Sequence, residues 1–188
     1  KANIRTLHLT WLAFFVSFMV WFAHAPLMPF IRDALQLTDL QTKVLLILNV
    51  TMTIPARILV GMLVDRYGPR ILFSAILILG GVISMAFALA ENFQQLALLR
   101  FLSGFVGAGF VVGIRMISEW FPARQTGVAQ GIYGGWGNFG SAGAAGLLPI
   151  IAASVGGPDG WRYAIALTGL IAIAYGSLFY WRARNTPK

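Results

Sequence analysis

The chain has 188 residues, 58% of them hydrophobic and only 11% charged, with a formal net charge of +8 and no cysteine. A soluble domain keeps roughly a quarter of its residues charged to dress its surface, so this surface faces something other than water. The missing cysteines exclude disulfides, zinc–thiolate sites and thioether haem attachment, and apolar runs that are continuous and not alternating exclude a transmembrane β-barrel.

A membrane-crossing helix needs about 20 apolar residues. Six such spans can be marked, at 9–31, 44–64, 71–90, 96–118, 126–153 and 163–181. The fold class is therefore all-α membrane protein, with residues 1–188 forming a single six-helix transmembrane bundle in the lipid bilayer. The connectors Arg32 to Lys43, Asp65 to Arg70, Glu91 to Gln95, Glu119 to Gln125 and Gly156 to Arg162 carry turn residues or charge where helices should stop. The first span shows no signal-peptide cleavage pattern and is long enough to remain in the membrane. Within it, His24 precedes Pro26 and Pro29 and is read as structural, while His8 belongs at the membrane surface.

The second span, 44–64, contains Arg57, eight residues from Asp65 and so about 12 Å of helix from that end. An arginine at this depth is costly in lipid and must face a polar interior. No Asp or Glu lies in the middle of any span to pair with it. An unpaired guanidinium of this kind is a socket for an anion. The alternative is that Arg57 bonds backbone carbonyls freed by Pro55.

Between the second and third spans stands Gly61-Met-Leu-Val-Asp65-Arg66-Tyr67-Gly68-Pro69-Arg70. The glycines permit a tight turn. The acid and bases can form a charge cluster beside it. The fourth span adds Arg100 and Gly104, in a place that also suits an interfacial anchor. At its far end Arg115 and Glu119, four apart, are expected to pair.

The fifth span, 126–153, reads Ala129-Gln-Gly-Ile-Tyr-Gly134-Gly-Trp-Gly-Asn138-Phe-Gly-Ser-Ala142, and is expected to be tilted or broken near Pro149. Its glycines, with Gly127, Gly131 and Gly135 in successive G-x-x-x-G steps, suit close helix packing. Packing does not account for Asn138, whose amide is expensive in lipid without partners. Gly134 lies one turn before it on the same face, where bare backbone and an amide donor can meet a small ligand.

Lys and Arg counted on alternate sides give Lys1, Arg5, Arg66, Arg70, Arg115, Arg124, Arg182, Arg184 and Lys188 against Arg32, Lys43, Arg100 and Arg162. This bias predicts cytoplasmic termini, and Trp11, Trp120, Trp161 and Trp181 near span ends suit the headgroup region. The same bias explains the basic net charge. No basic cluster interleaved with aromatics points to nucleic acid. No nucleophile–base pair, metal-ligating cluster or phosphate loop appears, so neither an enzyme nor a cofactor is expected.

The run from Gly61 to Arg70 resembles the G-x-x-x-D-R-x-G-x-R motif of the major facilitator superfamily at each defining position. The Gly-Trp-Gly-Asn-Phe-Gly run at 135–140 resembles the signature of the nitrate/nitrite porter family within it. So do Val20 to Pro29, Gly107 to Phe110, and Glu119 to Pro122. The resemblance implies the N-terminal half of a twelve-helix transporter of the cell membrane, with nitrate or nitrite as substrate. It implies that Arg57 clasps the anion, that Phe110 forms an aromatic wall, and that Gly134 and Asn138 make polar contacts. Gly61, Asp65, Arg66, Gly68 and Arg70 would form the conformational switch. The superfamily's alternating access requires a second six-helix half beside this one. The chain is then a fragment of a full transporter, a half that pairs with itself or another, or a structural or assembly subunit derived from one. The absence of a mid-membrane carboxylate favours anion exchange over proton symport.

Overall fold

The first span is interrupted. In the computed structural model, which describes residues 2–186, helix α1 (Ala2–Phe22) ends at Ala23 and α2 (His24–Leu35) follows at once. Pro26 has no N–H to offer the Phe22 carbonyl, so the ladder fails inside the apolar run that predicts one continuous helix. Helix α3 (Asp39–Tyr67) starts on a capping box: the Gln41 amide donates to Thr38 Oγ1 at 3.2 Å, and the Thr38 amide to Gln41 Oε1 at 2.9 Å. It is followed by α4 (Pro69–Ala88) and by α5 (Phe93–Ser103), capped by Asn92. The fourth span tightens into a 3-10 turn over Gly104–Ala108 before continuing as α6 (Gly109–Trp120). Helices α7 (Ala123–Val155) and α8 (Gly160–Arg182) complete the bundle.

Six helical stretches are long and apolar enough to cross a membrane: Ala2–Leu35, Asp39–Tyr67, Pro69–Ala88, Phe93–Trp120, Ala123–Val155 and Gly160–Arg182. They match the six predicted spans, each displaced or lengthened by a few residues at its ends. Helix α7 is not broken at Pro149 but runs unbroken through it. Lys1 and Lys188, counted above among the terminus-side cations, lie outside the described residues.

Helices α4 and α8 form the most extensive pairing, antiparallel and in strict register. Arg70 meets Tyr180, Gly176 meets Ser74, and Gly81 and Gly169 bring their backbones together. At the far end Arg162 Nη1 donates to the carbonyls of Ala88 and Ala90, each at 2.7 Å. A cation on orphan carbonyls at a helix C-terminus is favoured by hydrogen bonding and dipole alike. The interior divides into two apolar layers. One, toward the termini, centres on Phe14, Phe73, Met116, Tyr133 and Phe179; the other centres on Leu27, Ile31, Leu45, Phe87 and Trp161.

Arg100 belongs to neither the surface nor an interface. It is buried, with 3% of its area exposed, and it links three spans. Nε donates to the Leu45 carbonyl and Nη1 to the Trp21 carbonyl, each at 3.1 Å, while Nη1 also meets Nδ1 of the fully buried His24. The Trp21 carbonyl lies at the end of α1, beside the break at Ala23. The helix interruption and the buried cation thus satisfy each other, and His24 is structural as expected. This replaces the reading of Arg100 as an interfacial anchor.

Candidate functional site

Helices α3 and α7 flank the bundle and leave most of their surface uncovered by it, with the first and fourth spans packed between them. Arg57 lies on α3 and is exposed. It makes no hydrogen bond or ion pair among the described residues, so the alternative in which it satisfies carbonyls freed by Pro55 is not what the structure holds. All six acids of the chain stand at or near helix ends, and none pairs with it among the described residues.

One turn before Arg57, Thr53 is buried and its hydroxyl lies 2.6 Å from the Gly104 carbonyl and 2.7 Å from the Asn49 carbonyl. Gly107, in the 3-10 turn, admits this contact: a Cβ there would stand 2.9 Å from Thr53 Cγ2 and 3.0 Å from Trp21 Nε1. The Trp21 indole N–H and Asn49 Oδ1 are both buried without a partner among the described residues. The glycines of the fourth span therefore bring the second span, with Arg57, close against the fourth, where Trp21 of the first span also reaches.

From Trp21 an aromatic wall runs across the bundle. Trp21 contacts Phe18 at 5.4 Å between ring centres, Phe18 contacts Phe14 at 4.5 Å, and Phe14 contacts both Phe110 at 5.4 Å and Tyr133 at 4.8 Å. Phe110, the predicted aromatic residue of the fourth span, is half-buried in this wall and stacks on Tyr133 at 6.1 Å. The Tyr133 hydroxyl donates to the Phe110 carbonyl at 3.1 Å. Phe110 is thus tied to the residue preceding Gly134. Phe14, Phe18, Trp21 and Tyr133 were not among the predicted site residues. The signal was present in the first span, because 14, 18 and 21 recur at helical spacing on one face.

On α7 the structure sorts the glycines in an unexpected way. Gly127, Gly131, Gly134 and Gly135 have nothing within 4 Å of where a Cβ would stand. The close approach belongs instead to Gly137, which receives the Phe14 ring, and to Gly140 and Gly143, which receive Phe15. The G-x-x-x-G steps at 127, 131 and 135 thus serve no packing within this bundle. Asn138 is exposed, and its amide N–H turns back to the Gly134 carbonyl at 2.7 Å. One N–H of the Asn138 amide is thereby engaged, and the other makes no bond among the described residues.

The Gly61–Arg70 run, expected to act as a switch, also differs in its partners. Asp65 pairs with Arg115 of α6 at 3.6 Å and with neither Arg66 nor Arg70, so the cluster expected within the motif is drawn across to the fourth span. Arg115 makes its predicted pair with Glu119 at 2.7 Å. Arg66 lies 5.4 Å from the centre of the Tyr67 ring. Arg70 donates from Nε to the Tyr180 carbonyl at 2.7 Å and covers that residue's ring. Gly61 is open on its Cβ side, and Gly68 takes φ +80°, a conformation that favours glycine.

The family model described as Major Facilitator Superfamily matches residues 10–188. A nitrate/nitrite transporter, NrtP, of Nostoc punctiforme is 51% identical over 98% of this chain and 38% of its own length. A probable nitrate/nitrite antiporter, NarK1, of Thermus thermophilus is 34% identical over 99% of this chain and 43% of its own length. The chain thus spans about two fifths of the length of such curated relatives. Among solved structures, a bacterial homologue of the human lysosomal transporter Spinster, inward-facing and unoccupied, superposes with a TM-score of 0.83. It is 20% identical, over 100% of this chain and 44% of that one.

Proposed function

Because the chain belongs to the major facilitator superfamily, with nitrate/nitrite porters among its relatives, we propose that it carries the anion-holding N-terminal half of a nitrate/nitrite transporter in the cell membrane. On this reading its termini are cytoplasmic, and a second six-helix half closes over α3 and α7. The anion crosses by alternating access around a site between the halves. The observation that carries the proposal is Arg57: a guanidinium inside a membrane-spanning helix, exposed from the bundle, and without an acid or carbonyl partner among the described residues.

On this proposal one flat trigonal anion meets all four residues. The planar fork of Arg57 supplies charge and paired donors. The ring of Phe110 offers an apolar face, and the backbone at Gly134 leaves room for an edge while Asn138 presents its amide beside it. With no mid-membrane carboxylate to relay a proton, the anion itself is the counter-charge that Arg57 requires, which favours exchange of one anion for another over proton symport.

The test is nitrate uptake into proteoliposomes by the 188-residue chain and by the native polypeptide at its natural length, each with Arg57→Ala and Arg57→Lys. The expected result is transport by the native polypeptide that Arg57→Ala abolishes and Arg57→Lys cripples, since lysine lacks the planar fork. Near-normal uptake in either variant refutes the site. Folded native protein that neither binds nor carries nitrate refutes the function, and favours a structural or assembly subunit.

A further inference from the structure

The switch turn has a partner that lies outside its motif. Helix α4 begins at Pro69 with Gly68 in the N-cap position, and glycine has no side chain to receive the free amides of the first turn. The missing acceptor comes from beyond the end of α8: Asn185 Oδ1 receives the Arg70 N–H at 3.0 Å. Gly68 makes room for it, since a Cβ there would stand 2.5 Å from Asn185 Nδ2.

The residues around Asn185 are also held. Ala183 is buried at 2% exposure, and the Arg184 carbonyl accepts from Trp120 Nε1 at 3.1 Å. The Thr186 hydroxyl donates to Glu119 Oε2 at 3.0 Å. Glu119 pairs with Arg115, and Arg115 with Asp65. A continuous set of polar contacts therefore leads from this segment to both ends of the switch, Asp65 and Arg70. The segment has left the helix, with Ala183 already extended at φ −77° and ψ 154°, so it can part from the turn without unwinding α8.

We propose that residues 183–186 form a latch, with Asn185 and Thr186 as positioning residues that hold the Asp65–Arg70 turn and the Arg115–Glu119 pair in register. Transport, on the reading proposed above, turns over by making and releasing this latch. Gly68 then serves a second purpose besides its turn geometry, because it admits a cap supplied from a distant part of the chain.

The experiment uses the native polypeptide in liposomes, with Asn185→Ala, Asn185→Asp and Thr186→Val, and two readouts. Trypsin cleavage after Arg66 and Arg70, mapped by mass spectrometry, reports the turn itself and does not depend on transport. Asn185→Ala is expected to speed cleavage about tenfold and Thr186→Val about threefold. Asn185→Asp, which keeps an acceptor at the positive end of α4, should stay within twofold of the parent. In nitrate uptake, Asn185→Ala should lower kcat about fivefold with KM within twofold, and Asn185→Asp should restore it. A merely structural role would lower the yield of folded protein and leave kcat per folded molecule unchanged. Cleavage at the parental rate in Asn185→Ala overturns the latch. Faster cleavage with unchanged kcat, or a defect that Asn185→Asp does not relieve, overturns its part in turnover. If the parent carries no nitrate the transport reading fails, and cleavage alone decides the latch.

Discussion

Two alanine substitutions two residues apart on α7 should have opposite signs. At Gly137 the added methyl falls on the Phe14 ring. That ring is fully buried and cannot swing aside, being held by Phe18, Tyr133 and Phe110 at 4.5, 4.8 and 5.4 Å between centres. Relief requires α1 and α7 to separate, and overpacking of this kind costs about 1–3 kcal/mol. At Gly135 the methyl meets nothing within 4 Å, so Ala gains only helix propensity, about 0.5–1 kcal/mol in its favour. By soluble-domain scaling these figures correspond to a midpoint lower by about 2–12 °C for Gly137→Ala and higher by about 1–4 °C for Gly135→Ala. The assay is thermal denaturation of the 188-residue chain in detergent, followed by tryptophan fluorescence and by the monodisperse fraction on gel filtration. Equal destabilisation by both variants, or a harmless Gly137→Ala, would refute the assignment of faces on α7.

Arg100→Leu removes the donor that serves the Leu45 and Trp21 carbonyls and His24, leaving buried acceptors unpaired. It should cost about 3 kcal/mol, seen as a lowered thermal midpoint in the same assay. The Asp65–Arg115 pair should behave in the reverse way. At 3.6 Å, with side chains 66% and 51% exposed, its loss in Asp65→Asn should change stability by less than about 1 kcal/mol. On the transport proposed above, the same variant should slow nitrate uptake severalfold if the pair belongs to the switch, and a large fall in thermal midpoint would contradict this division of roles.

The parts of the fold that depend on composition along the chain were legible in advance. Apolar length locates the six spans, and charge at i and i+4 gives the Arg115–Glu119 pair. What escaped depends on which face of an apolar helix meets protein. In water, polarity marks the outer face. In lipid it does not, so nothing in the pattern separates Gly127, Gly131 and Gly135, which are open, from Gly137, Gly140 and Gly143, which are packed. Arg100 was misplaced for a related reason: its partners are backbone carbonyls of two other spans and a histidine, and carbonyls have no letter in the sequence. The Asn185 cap escaped because it joins residues 115 apart. For the site, the candidate residues could be picked out by type and spacing. That Phe110 is mortised to Tyr133, and that Asn138 folds back on Gly134, required the packed structure.

The interrupted helices have a mechanical consequence. The break at Ala23 and the 3-10 turn at Gly104–Ala108 abut one another, joined through Trp21, Gly107 and Arg100, and they share the Thr53 contact with α3. Helices α4 and α8, by contrast, are fastened at both ends and interlocked along their length. Stiffness is therefore unevenly distributed: a rigid strut along one side, and a compliant seam crossing the first and fourth spans. A bending load on such a body concentrates its strain at the seam, one turn of helix from Arg57. A small flexure there would tilt the guanidinium while the strut stays still.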